Sequence, residues 1–281
     1  MDFATLILME TIIGATLAGA LCGSLGVYLD RMGLLTLGFV IAHAALAGAA
    51  LSIILGVNTE LLAFTSSLIA VSSIEFICSK FNVKRDLIAM SLFALTSALG
   101  MFAIYFTPTT TLTAQTASLI LWGSILAMTM GKIILLSLLA IALAIYITAF
   151  KPQINAILFD KKLAEAEGVR VTLHATIFIL ITTLTVSLIL RLTGSFLVFS
   201  LIYNSAMAAN QISRKRQALL GGTLGALAGI MGVITSFQID TPIGATIALT
   251  SSIILFTTIA IAVIRDTKKR KQIAKHAEKS T

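Results

Sequence analysis

The groups able to do chemistry in this sequence are few. Glu10, His43, Glu75 and Lys132 stand inside long apolar runs, with Arg191 at the end of one. Burying an ionisable group in hydrocarbon is costly, so each needs a partner, a route to water or a function. Glu10 lies near the outer end of its run, and Glu75 lies near the inner end of its own, within reach of Lys80. Lys132 and Arg191 can extend their charged heads outward to water. His43 stands about two turns into its run, past the reach of a short imidazole to the headgroups. Ala42, Ala44, Ala45, Ala47 and Gly48 leave space beside it for a neighbouring helix or a small substrate. A neutral imidazole is a common metal ligand, and an intramembrane histidine equally serves as an interhelical hydrogen-bonder. The residues alone leave both open.

Covalent chemistry finds no support. Gly131-Lys132 lacks the upstream glycine and the following Ser or Thr of a phosphate-binding loop, and neither H-E-x-x-H nor G-x-S-x-G occurs. His174 and His276 have no nearby Ser, Cys or Asp set. Two cysteines, Cys22 and Cys78, exclude a disulfide scaffold and a multi-cysteine zinc site, and both read as small packing residues.

The elements that must carry these groups follow from composition. The 281 residues are 58% apolar and 11% charged, with a mean hydropathy of +1.01. A soluble domain is about 45–50% apolar and about 25% charged. A soluble globular enzyme, a disordered chain and a nucleic-acid-binding domain are excluded. The fold class is all-α, a polytopic transmembrane helical bundle of about eight to nine spans. Runs long enough to cross a bilayer fall at 8–29, 36–56, 60–79, 87–106, 131–150, 172–191, 195–212, 218–237 and 245–264. The apolar stretch 115–130 is short and reads as a re-entrant or half-length helix. Gly19 with Gly23, and Gly221, Gly225 and Gly229, recur at the four-residue spacing that lets helix backbones approach closely.

The net charge is +8, and of the 20 basic residues all but Lys132 and Arg191 fall on one side of this map. Basic loops stay cytoplasmic, which predicts a multi-pass plasma-membrane protein with its N-terminus outside and its C-terminus inside. One added or lost span would put basic loops on the wrong side. The chain divides into a membrane domain over 1–264 and a basic cytoplasmic tail over 265–281, which lies against lipid headgroups. The first run has no convincing small-residue cleavage site and is read as retained.

The longest internal cytoplasmic loop runs from Lys151 to Val171 and contains FDKKLAEAEGV at 159–169. Asp160 can cap a short helix, residues 161–167 are good helix formers, and Gly168 supplies a left-handed terminus. Such a helix suits a docking element, and equally an ordinary loop. Here the sequence resembles the permease subunits of ATP-binding-cassette importers for zinc, manganese or iron. Their coupling segment reads F-D-x-x-x-A-x-A-x-G-V, met here by Phe159, Asp160, Ala164, Ala166, Gly168 and Val169. The R-x-x-L-L-x-x-G…H-A pattern is met at Arg31, Leu34, Leu35, Gly38, His43 and Ala44, and D-x-P-x-G-A at Asp240 to Ala245. The stretch LILWGSIL at 119–126 resembles the short apolar segment before the fifth span. The similarity covers nearly the whole chain in order.

The resemblance implies a transport subunit and not an enzyme. It binds no cofactor itself, while ATP is hydrolysed by a separate ATPase docked on 159–169. The cargo is a divalent metal ion delivered by an extracytoplasmic metal-binding protein, and two permease copies form the pathway. There is no nucleic-acid partner. His43 would line that pathway. The family usually has an aspartate four residues before this histidine, where Phe39 stands here, and LIYNSAMAAN at 201–210 departs from its proline-containing stretch. Replacement ligands would come from Glu10, Glu60, Asp240 and Cys22, with Glu60 and Asp240 joining His43 as candidates on the path. The departure leaves room for a permease of a chelated or non-metal substrate. An ATP-independent secondary transporter using Asn204, Ser205 and Asn210 is the further alternative.

Overall fold

The computed structural model describes residues 3–107, 123–124, 128–194, 198–213 and 216–279. Among them are eleven helices: α1 (Phe3–Arg31), α2 (Leu35–Leu55), α3 (Thr59–Phe81), α4 (Arg85–Tyr105), α5 (Met130–Ala149), α6 (Lys151–Phe159), α7 (Lys161–Ala166), α8 (Val171–Thr193), α9 (Val198–Ile212), α10 (Gln217–Ile239) and α11 (Ile243–Lys279). Eight of these, α1 to α5, α8, α10 and α11, are long and apolar enough to cross a membrane. Of the ninth run expected from the sequence, 195–212, the described part is the 15-residue α9, about 22 Å long at 1.5 Å per residue. It is buried among α1, α10 and α11. There its polar groups find protein partners, as the interior of a membrane protein requires. The expected half-length helix at 115–130 lies mostly outside the described residues. The helix of α11 continues through the basic stretch to Lys279.

Two packing groups share the molecule. One is α1 with α9, α10 and α11; the other is α2 with α3 and α4; α8 touches members of both, and α5 lies against α1 and α8. The first group rests on its glycines. A Cβ at Gly221 would fall 2.5 Å from the Gly23 carbonyl, while one at Gly225 or Gly229 would collide with the carbonyl of Gly19 or Ala15. The two stripes seen in the sequence are thus the two faces of one seam, where backbones touch because no side chain intervenes. The second group is built around α2, whose residues from Val40 to Ala50 are all buried. The space beside its alanines is taken by α3: Ser66 Oγ donates to the Ala44 carbonyl at 2.7 Å and Ser67 Oγ to the Ile41 carbonyl at 2.9 Å. On α8 the buried hydroxyls of Thr182, Thr183 and Thr185 return hydrogen bonds to carbonyls one turn earlier, which hides them from the apolar surroundings.

The helix ends sort into two faces. At one, Arg31 Nε donates to Gln217 Oε1 at 2.7 Å, Thr36 bonds Asp86 at 2.9 Å, Asn210 donates to Asp30 at 2.8 Å, and Arg265 reaches the Gln211 carbonyl at 3.4 Å. At the other, Asn58 caps α3 through Glu60 and Leu61 N–H groups, and Ser236 Oγ donates to the Thr241 carbonyl at 2.5 Å.

Candidate functional site

His43 is 2% exposed and sits where α2, α4 and α9 meet. Each helix contributes a pair four residues apart: Phe39 and His43, Phe93 and Ser97, Phe199 and Tyr203. Residues at this spacing lie on one helix face, so three faces converge. The ring of Phe93 meets His43 edge-on at 4.4 Å between centroids, and Phe199 lies at 5.9 Å. Phe39 packs on Phe199 at 4.9 Å, Tyr203 at 5.8 Å and Phe93 at 6.2 Å. Ser97 Oγ lies 2.9 Å from His43 Nδ1 and within donating distance, 2.7 Å, of the Phe93 carbonyl. When Ser97 donates to that carbonyl it accepts from Nδ1–H, and the neutral imidazole then carries its lone pair on Nε2, the form that ligates metals. Sequence reasoning singled out His43 and missed Ser97, Phe93, Phe199 and Tyr203; the shared four-residue spacing was the available signal.

The other proposed pathway residues stand elsewhere. The Ser66 and Ser67 bonds set the level of His43 on α3, and Glu60 lies six or seven residues from it, about 9–10 Å along the axis. Its carboxylate pairs with Lys132 at 2.9 Å. Lys132 therefore closes an ion pair between the ends of α3 and α5, where the sequence suggested simple extension to water. Asp240 is exposed and ends α10 in a left-handed conformation, φ 51°. Cys22 is buried in the core of α1 and Glu10 is half-buried. Among the described residues no three His, Cys, Asp or Glu side chains converge to hold a metal ion. Glu75 pairs with Arg85 at 2.9 Å, whereas the expected Lys80 lies over the rings of Phe76 and Phe81. Asn204 donates to Ser251 and Ser252 at 3.0 Å each, so it acts as an interhelical hydrogen-bonder. His174, which had no partner in the sequence, meets the Tyr146 hydroxyl at 2.5 Å.

The 159–169 segment forms the capped helix its residues predict. Asp160 Oδ1 accepts from Leu163 N–H at 2.9 Å and opens α7. Gly168 N–H bonds the Glu165 carbonyl at 3.0 Å and Val169 N–H the Ala164 carbonyl at 2.9 Å. These are the paired bonds of a Schellman terminus, and Gly168 takes the left-handed φ of 84° it needs. Ala164 is buried, and its methyl is small enough to let α7 lie flat against the bundle. Phe159 is 83% exposed and Leu163 48%, so an apolar edge faces away from the protein. The Lys161 ammonium bonds the Met32 carbonyl in the turn between α1 and α2. Burial, and next Arg85, hold its pKa below the usual lysine range, while Glu165 opposes them. This tie joins residues 129 apart, and nothing local signals it.

Residues 5–262 match the family described as the ABC 3 transport family. The manganese import system permease protein ScaB of Streptococcus parasanguinis is 30% identical over 279 residues, covering 96% of this chain and 94% of that protein. The manganese transport system membrane protein MntC of Listeria innocua is 29% identical over 252 residues, covering 89% and 88%. A solved structure, PsaBC from Streptococcus pneumoniae in complex with Fab, superposes with a TM-score of 0.77 at 25% identity over 90% of both chains.

Proposed function

The chain belongs to the ABC 3 transport family, and from that membership we propose that it is the membrane permease of an ATP-binding-cassette importer for a divalent metal ion. It is a transport subunit, and the ATPase is a separate chain. The observation that carries this reading is the family match across almost the whole length, joined to the double-capped α7 with its exposed apolar edge. Manganese is the first cargo to test, because the relatives are named for it, with iron and zinc beside it.

In this reading Phe159, Asp160, Ala164, Ala166, Gly168 and Val169 form or frame the surface that docks the ATPase. Two permease copies form the pathway, and an extracytoplasmic binding protein delivers the ion. The end of the bundle carrying Arg31, Arg85, Lys161, Arg170 and Arg265 is cytoplasmic, because basic residues gather there. That places the N-terminus outside and the C-terminus inside the plasma membrane. The permease alternates between outward and inward access as the ATPases close and open. His43 touches the cargo transiently, while Glu60 and Asp240 stand nearer the outer mouth. A cargo must bind weakly enough to leave, so a site short of a full ligand set suits transport better than a four-ligand zinc site.

A second reading, import of a metal inside its own chelator, is favoured by one observation. Phe39 occupies the position one turn before His43 and builds an aromatic wall with Phe93, Phe199 and Tyr203. The test is elemental mass spectrometry of a deletion strain, its complement and a His43→Ala complement under limiting manganese, iron or zinc. One metal falling in both the deletion and His43→Ala supports the ion pathway through His43. Unchanged contents in every strain, with redundant uptake removed, would overturn metal import.

A further inference from the structure

A cavity of about 390 Å³ opens between the ends of α1, α6 and α10 on the basic face of the bundle. Small-molecule sites are roughly 300–1,000 Å³. Two guanidinium groups, Arg31 and Arg216, line it together with the amides of Asn155 and Gln217 and the Tyr28 hydroxyl. Its described lining contains no carboxylate. Asp30, the acidic neighbour of Arg31 in sequence, accepts from Asn210 at 2.8 Å and is not part of the lining. Gln217 is 7% exposed and its carbonyl oxygen accepts from Arg31. That bond holds the guanidinium in place and turns the amide of Gln217 into a donor-only group. Gln217 also opens α10, and no side chain caps that terminus. Its first N–H groups and the positive end of the helix dipole add to the same field. Cations without a counter-charge in a shared cavity repel one another, and an anion relieves both.

The position of the cavity narrows the anion. Arg31 ends one membrane-crossing helix and Gln217 begins another, so the donors lie at headgroup depth. Half-buried Leu158 and Ala218 form an apolar rim on the same cavity. Basic pockets between helices on this side of a membrane suit anionic headgroups, and the rim gives an acyl chain a surface that a free phosphate would not use. We propose that this cavity binds a phosphate group presented by the headgroup of an anionic phospholipid. The lipid then bridges α6, which leads into the docking helix, to α1 and α10, whose glycine seam holds the bundle.

The test is native mass spectrometry of the full-length chain in detergent, delipidated and then supplied with phosphatidylglycerol, phosphatidylcholine or inorganic phosphate. The expected result is one retained phosphatidylglycerol per chain and no phosphatidylcholine. Arg216→Gln, on the exposed rim and clear of the Gln217 bond, should weaken retention at least tenfold, Arg31→Gln should do the same, and Arg216→Lys should restore most of it. Inorganic phosphate binding without retained phosphatidylglycerol would assign the site to soluble phosphate and overturn the lipid source. Equal phosphatidylglycerol retention in the parent and both glutamine variants would overturn the proposal. So would release of a co-purified ATPase from those variants with lipid retention unchanged, because the cavity would then serve a protein carboxylate.

Discussion

Gly168 offers a perturbation whose cost can be separated into parts. Its φ of 84° is left-handed, and a Cβ built there meets nothing within 4 Å. Gly168→Ala therefore pays only for backbone conformation, about 1–2 kcal/mol. That shifts the local equilibrium of the α7 terminus about five- to thirty-fold. Asparagine visits this region more readily, so Gly168→Asn should cost less. Proline fixes φ near −65° and also removes the N–H that bonds the Glu165 carbonyl at 3.0 Å, so Gly168→Pro should abolish the Schellman terminus. The assay is ATP-driven manganese uptake in membranes, with protein level and ATPase co-purification measured on the same samples. The expected order is parent, Asn, Ala, Pro, with membrane levels equal and Pro nearly inactive. Full uptake by Gly168→Pro would refute a docking role for the helix. An Ala defect larger than the Pro defect would refute the conformational argument.

Lys161→Met removes the bond to the Met32 carbonyl, worth about 1 kcal/mol. Uptake per ATP should fall several-fold while the ATPase stays bound, and Lys161→Arg should retain most coupling; equal ratios in all three would show that the tie transmits nothing. Gly225→Val forces side-chain atoms against the Gly19 carbonyl. An overpacking cost of about 1–3 kcal/mol should lower the unfolding temperature in detergent by several degrees, whereas Gly131→Ala, in open space, should leave it unchanged. Phe39→Asp places a carboxylate one turn from His43 and should create a manganese-dependent rise in unfolding temperature beyond the parent's; no metal-dependent gain would mean that His43 Nε2 is not presented to cargo.

What the sequence made legible was local or periodic. Eight of the membrane runs appear as long helices because apolar length alone selects them. The capped helix α7 was readable because Asp160, its helix formers and Gly168 act within eleven residues. The glycine stripes signalled close packing, but which stripe faced which was a tertiary fact. Hydropathy could not show that 198–212 is shielded by α1, α10 and α11, with Asn204 bonding Ser251 and Ser252 and Asn210 bonding Asp30 at the basic face. Glu60 and Lys132, Glu75 and Arg85, and His174 and Tyr146 meet across helices, where sequence spacing carries no geometry. The setting of His43 lay between these cases: each four-residue pair was visible, and their convergence was not.

The importer assignment is tested most directly by reconstituting the full chain with its ATPase in proteoliposomes, ATP and radioactive manganese, iron or zinc being supplied on opposite sides. The predicted result is accumulation of one metal that requires ATP and the metal-loaded binding protein, and that fails with Gly168→Pro. Accumulation independent of ATP, or no accumulation of any of the three ions by a complex that hydrolyses ATP, would contradict it.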